Sequence, residues 1–424
     1  MNQVVVMPYP GRGHVNPLIN LCHFLSSKLN QHNLKTIFTI IVTEEWLGLI
    51  RPNPDDDDII RFVTIPNVIP SEHIRGSDIV AFIAAVNTNM ERPFEDVLDW
   101  MKVSVDLIIA DATMVWPFDV ANRRNIPVPA YWPMSAFMFS IIHHIDLLES
   151  HNHLYIDVSE RGKEVIDYIP GISSLTVADL PASFHGKCSL VPNLVSGLLP
   201  NLDDLIKKAN YVLLSTIYEL ESRTNDALKA GLHIPLYTCG PNIPYQMKLD
   251  TSSHEAPIYI ARSTYLWVVR GENSYLEESC GEQGMVVKWC DQFRVLSHCS
   301  IGGFLTHCGW NSVKEGLFSG VPMLAYPLWF DQPLNRLAIV KDWGNGSNMR
   351  KESGVVKRDE ISEIVRRFMD RKSDDRIAMM ERAKRLREVC RKSVVEGGSA
   401  NQDIDTFIRD NVLDQKKVIK GCLT

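Results

Sequence analysis

Short runs of consecutive apolar residues alternate along this chain with longer stretches in which apolar residues recur every three or four positions. The first pattern suits a strand buried on both faces, the second a helix with one buried side. Val4-Val5-Val6-Met7 reads as a buried strand, and Leu18, Leu21, Cys22, Leu25 and Leu29 follow at helical spacing. Further strands are predicted at Thr36–Val42, Leu107–Ala110 and Tyr211–Leu214, and in the second half at Tyr265–Val269, Met285–Val287, Gly303–Thr306 and Pro322–Ala325. Strands separated by helical stretches point to parallel sheets wrapped by helices. A stretch rich in turn formers, from Gly240-Pro241-Asn242-Ile243-Pro244 to Pro257, divides two such blocks. The reading is α/β, with two doubly wound, Rossmann-like domains facing each other across a cleft. An amino-terminal domain covers 1–240, a linker 241–257, and a carboxyl-terminal domain 258–424, whose last helix can pack back on the first domain. In such sheets, ligands bind beyond the carboxyl ends of the strands.

A length of 424 residues exceeds what one ordinary core fills, in keeping with two domains. The net charge of −7 argues against a nucleic-acid or anionic-membrane partner. Nine cysteines without paired spacing suit a reducing compartment better than a disulfide framework. No apolar run reaches the ~18 residues of a membrane helix. The start at Met1-Asn2-Gln3 lacks a basic leader, and Gly421-Cys422-Leu423-Thr424 is not a prenylation signal. The expectation is an unanchored, cytoplasmic monomer that handles small molecules.

The densest cluster of chemistry runs from Trp289 to Gln332. It holds Trp289-Cys290-Asp291-Gln292, then Gly303-Phe304-Leu305-Thr306-His307-Cys308-Gly309-Trp310-Asn311-Ser312, Glu315, Gly320-Val321-Pro322 and Asp331-Gln332. His307 falls just past a predicted strand, and Asn311-Ser312 opens the helix after it. A helix start presents backbone N–H groups and the positive end of its dipole, a place for a diphosphate. Ser312-x-x-Glu315 also fits a capping box, a purely structural helix start. A second constellation, Pro10-Gly11-Arg12-Gly13-His14-Val15-Asn16-Pro17, follows the first strand directly and exposes His14 at the sheet's carboxyl edge. Asp111 ends the Leu107–Ala110 strand at the same edge. A carboxylate beside an imidazole raises its basicity and selects its tautomer, as a general base requires.

Together these motifs closely resemble the donor-binding signature and catalytic loop of plant family-1 UDP-glycosyltransferases, and the resemblance extends over nearly the whole chain. It implies the GT-B fold and an inverting transfer of glucose from UDP-glucose to a small-molecule hydroxyl, on a phenolic or flavonoid, a hormone or a terpenoid. By the resemblance His14 is the base and Asp111 its partner. Trp289 stacks on the uracil, and the Cys290 backbone pairs with its edge. Gln292 and Glu315 hold the ribose; His307, Gly309, Trp310, Asn311 and Ser312 surround the diphosphate; Asp331 and Gln332 bind the sugar hydroxyls. Gln332 leans towards glucose. UDP-glucose enters as a substrate, with no metal and no other cofactor. Trp116, Trp132, Ser135 and Phe137 are candidate acceptor-binding residues, although such side chains also serve as plain core.

Other readings are weaker. Gly11-x-Gly13 invites a dinucleotide fingerprint, but Asn16 stands at the third glycine and no acidic residue ends the second strand at Val42, although Glu44 lies two residues on. Asp55-Asp56-Asp57-Asp58 reads as a solvated loop, and His143-His144 lacks further ligands at metal spacing. The family's pattern departs in one place. A strand, a glycine turn and a helix, on the order of 30 residues, normally precede the strand equivalent to Tyr265–Val269, and here only Thr251 to Thr264 fills that interval. Ile258-Tyr259-Ile260 is the candidate replacement strand. The shortening raises a second expectation, a relative that binds acceptors without turnover.

Overall fold

The computed structural model describes residues 2–50, 59–186, 202–244, 265–269, 284–349 and 357–413. The shortened interval and its candidate strand at Ile258–Ile260, like the Asp55–Asp58 run, lie outside these residues. Cα packing groups the chain into two compact units. The first holds Met1–Asn242, Trp329–Leu334 and Cys390–Thr424; the second holds Ile243–Leu328 and Asn335–Val389. The grouping therefore returns 329–334 and 390–424 to the first unit, although both stretches fall within the domain drawn from sequence as 258–424.

The first unit is built on strands β1 (Asn2–Met7), β2 (Thr36–Thr43), β3 (Ile60–Ile65), β4 (Leu107–Asp111) and β5 (Pro129–Trp132). A two-residue hairpin, β6 (Val165–Ile166) and β7 (Leu175–Thr176), stands apart, and β8 (Tyr211–Leu214) and β9 (Leu236–Thr238) complete the set. Seven of them form one parallel sheet in the order β3-β2-β1-β4-β5-β8-β9. The chain first winds outward from β1 to β3, then returns to the other flank of β1 with β4. That reversal is a topological switch point, where loops leaving the carboxyl ends of β1 and β4 diverge and leave a crevice. Val4 pairs with Leu107 and Met7 with Ala110, so the two strands end side by side.

Helix Arg12–Gln31 covers one face of this sheet. Leu18, Leu21, Cys22, Leu25 and Leu29, the residues that marked it in the sequence, are all buried. Helix Ser399–Ile408 packs in the same core through Ile404, Phe407 and Ile408. A buried lysine ties the two helices together: Lys28 Nζ donates to Asn401 Oδ1 at 2.6 Å and to Asp405 Oδ2 at 3.0 Å. Burying the ammonium is tolerable because both acceptors lie within hydrogen-bond reach.

The second unit carries β10 (Tyr265–Val268) and β11 (Gly284–Val287), paired in parallel, and a separate parallel sheet of β12 (Phe304–Thr306), β13 (Met323–Ala325) and β14 (Gly346–Asn348). Among the described residues these strands form two sheets instead of one. Helix Trp310–Ser319 joins β12 to β13 and ends at Gly320 with φ of 73°. There Gly320 N donates to Leu317 O and Val321 N to Gly316 O, the left-handed helix stop that glycine adopts without steric penalty. No helix among the described residues is long and apolar enough to cross a membrane.

Candidate active site

Helix Arg12–Gln31 starts directly after the β1 loop, with Gly11 extended at its N-cap, and this lifts His14 into the first turn of the helix. Asp111 is the last residue of β4, the strand beside β1. The two meet: His14 Nδ1 lies 2.8 Å from Asp111 Oδ2, the histidine 22% exposed and the aspartate fully buried. The other carboxylate oxygen accepts from Thr113 N at 3.0 Å and Thr113 Oγ1 at 2.6 Å. Asp111 is thus held from both sides and aimed at one ring nitrogen. With a carboxylate accepting at Nδ1, that nitrogen carries the hydrogen and Nε2 keeps its lone pair for a substrate proton. Sequence reasoning found both partners, but it missed Thr113, whose role follows only from the tight turn after β4.

The imidazole is walled by groups no motif marked. The Tyr9 ring centre lies 5.0 Å from that of His14, and Phe82 lies behind Tyr9 at 6.3 Å. Tyr9 is almost wholly buried and, among the described residues, its hydroxyl has no partner. Burial, more than the nearby Asp111 and Glu72, pushes its phenol up to about 12 against the opposing pull of Arg75.

The four expected acceptor residues are enclosed. Trp116 Nε1 donates to Val86 O at 3.1 Å and its ring meets Phe94 edge-on. Trp132 Nε1 donates to Ser135 O at 3.0 Å, with Phe139 perpendicular to it. Ser135 caps helix Ala136–His143, its hydroxyl accepting from Met138 N. Phe137 is 6% exposed, and its N–H donates to Glu221 Oε1. These residues frame the first unit's core and the start of one helix. His143 and His144 lie with ring centres 4.8 Å apart, and His143 Nδ1 sits 3.1 Å from Asp203 Oδ1. No group of three or more metal-ligating side chains occurs among the described residues.

In the second unit, Trp289 to Gln292 follow β11, and His307 to Ser312 follow β12. Asp291 caps helix Gln292–Leu296, accepting from Arg294 N, and points Gln292 across to the next helix. Gln292 Nε2 donates to Ser312 Oγ at 3.0 Å and to Glu315 Oε2 at 2.6 Å, so these three residues form one polar cluster. Burial raises the Glu315 carboxyl to about 7, with Asp291 adding to the rise while Gln292 and Lys314 oppose it. The Cys290 thiol is also raised, first by burial and then by Asp291 and Glu315. Trp289 is 71% exposed, its indole open to a stacking partner.

The turn between β12 and helix Trp310–Ser319 is strained. Cys308 is left-handed at φ of 66°, uncommon for a residue with a side chain. Its N–H donates to Thr306 Oγ1 at 3.0 Å, and its carbonyl accepts from Asn335 Nδ2 at 2.9 Å, which pins the conformation. The next residue, Gly309, is the N-cap and offers no side-chain acceptor to the helix. A Cβ at Gly309 would clash with His307 Nε2, so only glycine lets the exposed imidazole lie across the helix start. Ser312 is therefore a third helical residue instead of a cap, and the capping-box reading of Ser312 and Glu315 does not hold. Trp310 is buried, its ring 6.3 Å from that of Trp343. Asp331 and Gln332 are buried as well, Gln332 Oε1 accepting from Trp329 N, and both group with the first unit, as His14 and Asp111 do.

Comparison with known proteins bears on the family and the fold. A family model described as UDP-glucoronosyl and UDP-glucosyl transferase matches residues 260–380. UDP-glycosyltransferase 87A2 of Arabidopsis thaliana is 41% identical over 448 aligned positions, covering 96% of each chain. UDP-glycosyltransferase 87A1 of the same plant is 40% identical over 445, covering 95% of this chain and 99% of the other. Both alignments exceed the 424 residues present, so each relative carries positions without a counterpart here. Among solved structures, Os79 of O. sativa, in complex with U2F and a trichothecene, matches with a TM-score of 0.79 at 22% identity, covering 96% of this chain and all of that one. A Medicago truncatula glycosyltransferase complexed with UDP-glucose matches at 0.77 and 22%, covering 96% and 98%. By fold and by relatedness along almost its whole length, this chain belongs to the plant UDP-glycosyltransferases of the GT-B fold.

Proposed function

We propose that the chain transfers glucose from UDP-glucose to a hydroxyl of a small molecule, with inversion at the anomeric carbon. His14 Nε2 removes the acceptor's proton as its oxygen attacks, and Asp111 holds the ring and stabilises the charge it gains. The first unit serves the acceptor and the second the nucleotide. Trp289 stacks on the base, the Cys290 backbone pairs with it, and Gln292 and Glu315 hold the ribose hydroxyls. The strained turn from His307 to Gly309, with Trp310, Asn311 and Ser312 at the helix start, receives the diphosphate; the dipole there favours the charge that builds on the leaving group. Asp331 and Gln332 bind the sugar. Phenolic, hormone or terpenoid scaffolds fit the aromatic surroundings of His14. The setting is the cytoplasm, in keeping with the described cysteines Cys22, Cys239, Cys290, Cys299, Cys308 and Cys390 forming no disulfide, and the active form is a monomer.

The observation that carries this reading is the 2.8 Å pair of His14 and Asp111 at the switch point of the first sheet. UDP release from UDP-glucose, measured across a panel of phenolic acceptors, tests it. His14→Ala should lower kcat by a factor of about 10²–10⁴, the usual worth of a positioned base, while UDP still binds. Unchanged turnover in that variant would refute the assignment.

A further inference from the structure

Beside His14 stands a cation that the reaction as described does not use. Arg75 lies in the turn after β3, and its guanidinium carbon sits 4.6 Å from the centre of the Phe82 ring and 5.7 Å from that of Tyr9. Gly11 shows how near it comes to the base: a Cβ built there would lie 3.3 Å from Arg75 Nη1 and 3.4 Å from His14 Cδ2. The guanidinium and the imidazole therefore flank one small gap, and the glycine keeps it open. Arg75 Nη1 is engaged, donating to Pro10 O at 3.2 Å and Glu72 Oε2 at 3.3 Å. Among the described residues nothing accepts from Nε or Nη2, although the side chain is only 22% exposed. A guanidinium presents five N–H donors in a rigid fork, and the Nε–Nη2 edge matches the two oxygens of a carboxylate. Aromatic rings flanking it exclude water and strengthen whatever hydrogen bonds that edge makes. The pair with Glu72 leaves little net charge, so selection rests on the geometry of paired donors more than on long-range attraction.

We propose that Arg75 determines acceptor specificity: its Nε–Nη2 edge binds a carboxylate of the acceptor, and a hydroxyl elsewhere on the same molecule meets His14 Nε2. The acceptor class is then a hydroxy acid, and the inference rests on the reading of His14 as the base. Calorimetry and turnover with 4-hydroxybenzoate and its methyl ester, on the unmodified chain and on Arg75→Gln, Arg75→Lys and His14→Ala, test it. The unmodified chain should bind the acid at least about tenfold tighter than the ester, the effect of a charge-assisted hydrogen bond. Arg75→Gln should lower that ratio about tenfold, and Arg75→Lys should restore part of it. A ratio unmoved by Arg75→Gln, with both ligands weakened alike, would make Arg75 a brace for the Gly11 loop and overturn the proposal. No preference for the acid in the unmodified chain, or binding of neither ligand, would overturn it too. His14→Ala should abolish turnover of both acceptors while preserving their affinity ratio; retained turnover there would count against the base alone.

Discussion

At the scale of single residues, the cluster of Gln292, Ser312 and Glu315 holds a titration that the motif could not announce. Glu315 accepts from Gln292 at 2.6 Å yet has its carboxyl raised to about 7, chiefly by burial. The folded chain thus keeps a proton that an unfolded glutamate, with its value of 4.5, gives up earlier. Stability from this group is complete below the unfolded value and is lost as pH rises through the folded one, by roughly 2–3 kcal/mol once pH passes 7. Glu315→Gln keeps the size and removes the titration. Urea midpoints should therefore fall less between pH 5 and pH 8 in this variant than in the unmodified chain, and equal falls would contradict the assignment. Spacing revealed the glutamate, but the proton balance belongs to its surroundings. In the same way Ser312 and Glu315 look like a capping box in one dimension, and only the helix observed from Trp310, with Gly309 at its N-cap, shows that they are not one.

At the scale of elements, packing decides what pattern leaves open. Helix Ser399–Ile408 anchors on the first sheet through Phe407, which is 1% exposed and meets Tyr237 and Tyr211 edge-on at 5.6 and 6.1 Å. Truncation of so enclosed a ring leaves a cavity, and Phe407→Ala should destabilise the chain by about 3–5 kcal/mol in chemical denaturation. A loss under about 1 kcal/mol would mean the helix is not held by this ring. The long strands β1, β2 and β4 were legible because buried parallel strands are continuously apolar. β3 was not, since Arg61 interrupts it. Short β5, opening on Pro129, and β9, three residues long, carry too little pattern, and β14 is Gly-Ser-Asn with no apolar residue at all. These strands exist because neighbours supply their hydrogen bonds, which is tertiary information.

At the scale of the whole molecule the chain groups into two compact units, and it serves them out of order. Residues 329–334 and 390–424 group with the first unit, so Asp331 and Gln332, the proposed sugar-binding pair, fall in the same unit as His14. A nucleotide that binds only the folded chain stabilises it by mass action, about 2.7 kcal/mol at a hundred times Kd. UDP should accordingly raise the thermal midpoint in a concentration-dependent way, and Trp289→Ala should weaken that shift, since the exposed indole is the proposed base platform. A midpoint indifferent to UDP would argue that the cluster of Gln292, Ser312 and Glu315 does not serve a nucleotide.

What the sequence by itself determined is what repeats or clusters locally: buried strands, amphipathic helices, the glycine turn presenting His14, and the Trp289–Gln332 stretch, whose joint spacing marks the family. Those features arise from interactions a few residues apart, so a linear pattern records them. Only the tertiary structure decided that Thr113 braces the Asp111 carboxylate, that Trp116 and Trp132 are enclosed, and that Arg75 borders the same gap as the imidazole, and it set the expected pair of His14 and Asp111 at 2.8 Å. Apart from the Asp111–Thr113 turn, these contacts join residues tens of positions apart, and their energies depend on burial and direction, which no short stretch of chain encodes.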